Sequence, residues 1–179
     1  MAYELLHTMH SRKKGKKGSL ALKLDMSKGY DRVEWPFLKG IMTKRGFLDV
    51  WINWVMCCVT TPSFSILINE KSFGNIKPLR GIRQGDPLLP YIFLLCAKGF
   101  NSLLLRAEME GRIKGVFICR KAPSVTNLMF ADDSILFCRA TLGEVEVIND
   151  VLRTYANASG QCISMEKSSM FFSSYTQAN

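Results

Sequence analysis

The sequence predicts an α+β fold in which helices cover one face of an antiparallel sheet. Three observations carry that expectation. Short apolar or alternating runs near 20–26, 63–79 and 125–139 mark strands and hairpins. Longer stretches near 34–45, 48–59, 88–111 and 141–159 have the length or the apolar spacing of helices. The composition, 47% hydrophobic and 22% charged over 179 residues, is that of one globular domain or a piece of one.

Taken in order, the first distinctive segment is RKKGKK at 12–17, broken by Gly15 and followed by Gly18. It reads as an exposed loop, a nuclear-import signal or a phosphate-contacting loop. LALKLDM at 20–26 is short and apolar, as in a buried strand that ends at an acid. Trp35, Leu38, Ile41 and Met42 then fall on one helical face, and Gly46 stops that helix. A second helix follows at 48–59. Alternation over 63–69, followed by 71–74 and 76–79, reads as a hairpin. Pro87 suits the first turn of a long helix over 88–111. A strand is expected at 116–119. Residues 125–130 and 135–139 flank Ala131-Asp132-Asp133-Ser134, which makes a hairpin with two acids at its turn. Thr141-Leu-Gly-Glu144 has the pattern of a capping box, opening a helix that ends near Gly160. A last strand covers 170–172.

Charge points to a polyanion. The net charge is +9, and residues 1–107 carry 17 basic and 7 acidic side chains against 7 and 8 in 108–179. Such a basic front half suits nucleic acid first and an anionic membrane surface second, with a merely solubilising surface as the plain alternative. The uncharged stretch 50–69 contains Asn53, Pro62 and several hydroxyl residues, so no transmembrane segment is expected. Six cysteines without a CxxC pair or a signal peptide are expected to be reduced, mostly buried thiols of an intracellular protein, nuclear or cytoplasmic. His7 and His10 lack a neighbouring cysteine and read as solvated side chains.

Two acidic places stand out because each sits at the end of an apolar strand: Asp25, and the pair Asp132-Asp133. An Asp-Asp turn alone is common turn chemistry. If the strands are neighbours, the carboxylates converge, and such a cluster calls for a neutralising cation. Hard oxygen donors suit Mg²⁺, and paired ions activate a hydroxyl and stabilise a leaving pyrophosphate. A third element, Arg80-Gly-Ile-Arg-Gln-Gly-Asp-Pro87, combines glycines that let backbone approach a ligand with arginines that pair with phosphates.

KLDMSKGYDRVEW (23–35), PLRGIRQGDPLLP (78–90), LMFADDSILF (128–137) and SGQCISMEKS (159–168) resemble, in order and spacing, the reverse transcriptase domain of plant non-LTR, LINE-type retrotransposons. The resemblance implies a polymerase palm and an RNA-directed DNA polymerase, with an RNA template, a DNA primer and deoxynucleoside triphosphates as partners, and no membrane. It assigns Asp25, Asp132 and Asp133 to catalysis and to Mg²⁺, with Mn²⁺ as a substitute. Tyr30 falls where the family has an aromatic residue under the incoming sugar, core packing being its other role. Gln84 and Gly85 match the turn supporting the template–nucleotide pair. Arg80 and Arg83 are phosphate contacts or loop-holding ion pairs. Lys167 matches a lysine near the nucleotide phosphates, or is a surface lysine.

Gly29, Leu89, Asn127 and Ser164 depart from the family's usual alanine, serine, histidine and asparagine. The reading is of a truncated copy, with residues 1–19 a basic lead-in from the fingers side and with fingers, thumb and endonuclease regions largely outside the sequence. Such a piece is expected to polymerise poorly or not at all by itself. The alternative is an inactive remnant that retains nucleic-acid binding.

Overall fold

A computed structural model describes residues 2–11, 18–83, 85, 87–119, 122–130 and 133–174. The elements are α1 (Ala2–Ser11), β1 (Ser19–Ser27), α2 (Trp35–Lys44), α3 (Asp49–Thr60), β2 (Phe64–Ile68) and β3 (Lys71–Ile76). They continue with α4 (Leu89–Met109), β4 (Asn127–Phe130), β5 (Asp133–Arg139), α5 (Leu142–Ser159), β6 (Cys162–Ile163) and β7 (Ser169–Phe172).

β1 is the centre of the main sheet. β5 pairs with it antiparallel along one side, with β4 beyond β5. On its other side β7 pairs with residues 20–23 and the two-residue β6 with residues 26–27. Alternation sorts the side chains. Leu20, Leu24 and Met26 join Leu136 and Cys138 of β5 in a core with Phe100 and Leu104 of α4 and Ile148, Val151 and Tyr155 of α5. Ala21 and Phe137, directly opposite each other, belong to a different cluster with Leu5 and Met9 of α1. The expected α+β layering is therefore present, and α1 adds a partial cover on the second face. Further along that same face lie Lys23, Asp25 and Asp133, beyond the α1 cluster. A third cluster joins α2, α3 and the start of α4 around Leu38, Met42, Ile52 and Ile92.

Several local expectations change. α1 and β6 were not legible as elements. The strand expected at 116–119 is reduced to one bridge, Val116 to Val125. α4 begins at Leu89, so Pro90 occupies its first turn and Pro87 lies just before it. Thr141 makes no capping bond with its side chain. Glu144, buried, accepts hydrogen bonds from the backbone N–H groups of Lys114 (3.1 Å) and Arg139 (2.9 Å), tying β5 to the segment after α4. Gly160 does terminate α5, in the left-handed conformation at φ 75°. The thiols are free as expected, but only Cys96 and Cys138 are buried, whereas Cys57, Cys58, Cys119 and Cys162 are exposed. Among the described residues no helix is long and apolar enough to cross a membrane. The run 12–17 lies outside the described residues.

Candidate active site

The register of the two central strands decides where the acids meet. Asp25 on β1 stands directly opposite Asp133 on β5, at the end of a ladder that runs from Ser19↔Arg139. Directly opposed residues of an antiparallel pair share a face, with Cβ atoms about 4.5–5.5 Å apart. Two carboxylates more than 100 positions apart in sequence are thus neighbours on the half-exposed end of the sheet. Asp132 lies outside the described residues. Across the strands, the Lys23 ammonium sits 3.8 Å from Asp133 Oδ1, each side chain being 44% exposed. At that exposure the pair contributes less than about 1 kcal/mol to stability. Among the described residues no group of three metal-ligating side chains forms.

Asp25 is held by its backbone. Its carbonyl accepts the Ser164 N–H at 2.9 Å, and its own N–H donates to Ser168 Oγ at 3.3 Å. Ser168 Oγ in turn donates to the Ser164 carbonyl at 2.7 Å. Both serines flank the exposed turn that carries Lys167, so the fourth motif clamps the first acid. Ser164 serves here mainly through its main chain.

The turn after Asp25 is where the other motifs dock. Gln161, buried, donates from Nε2 to the Gly29 carbonyl at 2.6 Å. The N–H of Ile82 donates to the Tyr30 carbonyl (2.9 Å) and that of Gly81 to the Val33 carbonyl (2.8 Å). Trp35 Nε1 returns a bond to the Gly81 carbonyl at 2.8 Å. The approach is so close that a Cβ on Gly81, whose φ is +88°, would lie 2.6 Å from the Asp31 carbonyl oxygen. Glu34 N–H donates to the Ser159 carbonyl, and a Cβ on Gly160 would meet the Arg32 carbonyl at 2.5 Å. Glycine is demanded at both places by neighbouring backbone as well as by φ.

Tyr30 is half-buried, its ring 4.6 Å from that of Phe93, so packing is one of its roles. Arg80 pairs with Glu34 at 3.3 Å and so holds the loop. Arg83 is exposed and lines, with Asp31, Phe64, Pro62 and Arg80, an open cavity of about 370 Å³. Gly85 is exposed at φ +87°. Gln84 lies outside the described residues. The motif residues therefore fall into two groups, the acids with Lys23 on the sheet face, and Tyr30 with the 80–85 loop on the following turn. Sequence reasoning passed over Lys23, Trp35, Gln161, Ser164 and Ser168 as positioning groups. Membership of the quoted motifs is the signal that singles them out.

A sequence profile described as reverse transcriptase (RNA-dependent DNA polymerase) matches residues 1–177. The chain belongs to the reverse transcriptase family. An uncharacterised mitochondrial protein of Arabidopsis thaliana is 43% identical over 68 residues, which are 38% of this chain and 56% of that protein. The Pol polyprotein of type-1 retrotransposable element R2 from Popillia japonica is 27% identical over 80% of this chain and 23% of its own length. A 149 kDa protein of transposon TX1 from Xenopus laevis is 29% identical over 83% of this chain and 11% of that protein. This reverse transcriptase chain thus spans only part of the length of each of these relatives. A solved telomerase from Candida tropicalis shares its fold over 99% of the chain, with a TM-score of 0.69 at 14% identity. The resemblance to a non-LTR retrotransposon reverse transcriptase and the palm-like architecture are both borne out.

Proposed function

We propose that this chain is the palm of an RNA-directed DNA polymerase that extends a DNA primer on an RNA template from deoxynucleoside triphosphates. The observation that carries the reading is the Asp25–Asp133 juxtaposition on an accessible sheet face in a reverse transcriptase family member. The donor set fits a divalent cation. Opposed carboxylates repel each other, offer only hard oxygen ligands, and are balanced among the described residues by the one ammonium of Lys23. Asp25 and Asp133, with Asp132 beside them in sequence, are the residues that would hold Mg²⁺ or Mn²⁺. When bound, such ions would activate the primer 3′-hydroxyl and offset charge on the leaving pyrophosphate.

The remaining roles belong to the protein. Ser164 and Ser168 fix the backbone of Asp25, so its carboxylate keeps one direction while substrate arrives. Tyr30, backed by Phe93, lies five residues after Asp25 and is the group proposed to bar a ribose 2′-hydroxyl. Gln84 and Gly85 are assigned to the template–nucleotide pair. Arg83 and Lys167, exposed, are assigned to phosphates. Arg80 supports them by bracing the loop through Glu34. The 179-residue chain is proposed to be the palm, led into by residues 1–19 from the fingers side.

The test is single-nucleotide addition to an RNA-templated DNA primer by the purified chain with Mg²⁺ or Mn²⁺, alongside hybrid binding across a salt series. Slow addition that disappears in Asp25→Asn supports the polymerase reading. Binding that falls steeply with salt, with no addition under any condition, leaves electrostatic nucleic-acid binding as the function of this chain. Efficient, processive extension would overturn the expectation that the palm needs further elements to hold both reactants in line.

A further inference from the structure

We infer that Lys23 is the resident counter-ion of the acid pair, an ammonium that a divalent cation must displace from Asp133 before binding there. The inference rests on the metal-site reading above and adds a competitor to it. Strand alternation places Lys23 on the same face as Asp25, two residues earlier, and diagonally across from Asp133. Lys23 stands opposite Ile135 on β5 and opposite Ser169 on β7, neither of which offers a charge. Among the described residues the carboxylate that its ammonium meets is that of Asp133, at 3.8 Å. Among the described residues neither Asp25 nor Asp133 forms an ion pair with any other cation. Among the described residues Lys23 is thus the cation that screens the two facing carboxylates. With it, the metal-free site is close to neutral at one of its acids.

An ordinary surface salt bridge of this exposure has little effect on stability, and that is not the role assigned. Sharing a ligand oxygen makes the ammonium and the metal alternative occupants of one place. The consequence is a higher metal concentration for half-occupancy, which holds the site open until a triphosphate adds its own oxygens to the coordination shell.

The experiment titrates the 179-residue chain with Mn²⁺ alone, by electron paramagnetic resonance of the free ion, with folding checked by circular dichroism. Lys23→Met keeps a similar stem and removes the charge. It is expected to tighten Mn²⁺ binding about two- to five-fold, the size set by one charge near a half-exposed carboxylate. Lys39→Met, an exposed lysine of α2, changes net charge equally and is expected to shift binding less than about two-fold by long-range screening alone. Lys23→Arg should retain the wild-type affinity. In an Asp133→Asn background, Lys23→Met should give no more change than Lys39→Met. Unchanged or weaker binding in Lys23→Met overturns the proposal while leaving a metal site whose occupancy still depends on Asp25 and Asp133. Absence of Mn²⁺ binding in the wild-type chain overturns the metal-site reading and this inference with it.

Discussion

The turn after β1 and the β2–β3 hairpin are both built from short loops between regular elements, yet they are held in opposite ways. The turn at 28–35 is fastened by backbone bonds with residues 81, 82 and 159 and by the Gln161 side chain, and close approach at Gly81 and Gly160 leaves no room for a side chain. The hairpin has an Asn69-Glu70 turn with both residues at positive φ, and every residue of both strands is exposed. Its ladder carries Phe64, Ile66, Leu67, Ile68, Phe73 and Ile76 without a core beneath them. The difference teaches that the chemistry of this chain is placed by long-range docking. Local strand pairing supplies the hairpin but no burial.

Truncation tests that contrast most strongly. Phe100, fully buried between the sheet and α5, packs 5.0 Å from the Tyr155 ring. Phe100→Ala should cost about 3–5 kcal/mol in denaturant unfolding. A smaller effect separates two glycines of similar φ. Gly81→Ala combines left-handed strain with a collision against the Asp31 carbonyl and should cost about 3 kcal/mol, whereas Gly74→Ala in the hairpin meets nothing within 4 Å and should cost about 1 kcal/mol. Equal losses would dissolve the distinction between the two regions.

A fourth substitution should stabilise. A Cβ on Gly29 would make ordinary contacts of 3.4 Å with Met26 and Phe93 and 3.5 Å with Gln161, and its φ is not positive. Gly29→Ala should add about 0.4–1 kcal/mol through a less flexible unfolded chain. Leu67→Ala in the exposed hairpin should stay within about 0.5 kcal/mol of wild type.

The thiols sharpen the same comparison by reactivity. Burial pushes the Cys96 and Cys138 thiols up to about 12, while Cys57, Cys58, Cys119 and Cys162 are exposed. Alkylation at neutral pH should reach those four and spare Cys96 and Cys138 until the chain unfolds. The two buried groups favour folding while protonated. Stability should therefore be complete below the ordinary thiol value near 9 and should fall as pH rises from there through 12, followed by circular dichroism.

How much of this was legible follows from the range of each interaction. Periodicity was enough for β1, α2, α3, the β2–β3 hairpin and α5, because their apolar spacing and glycine stops are local. It missed α1, whose burial rests on Leu5 and Met9 alone, and β6, which is two residues long. The capping-box pattern marked the start of α5 correctly at Thr141 but not the bonding, because Glu144 found backbone donors at Lys114 and Arg139, which no local rule anticipates. At the site, the acids were visible as strand ends. The Asp25–Asp133 register depends on pairing across more than 100 residues and was an expectation until the sheet order was in hand. Arg80 left two readings open, and its contact with Glu34 favours the bracing role.

The central position of β1 also has a consequence for synthesis on the ribosome. Every strand that pairs with it comes late, β5 starting at residue 133 and β6 and β7 after residue 160, whereas β1 ends at residue 27. At about 5–20 residues per second, the strand bearing Asp25 waits roughly 5–20 s with both edges unpaired. Over that interval Lys23 and Asp25 interrupt an otherwise apolar LALKLDM run, in the manner of gatekeepers against aggregation. A nascent chain released before residue 133 has no partner for β1, so the main sheet is committed only when the last third of the chain has been made.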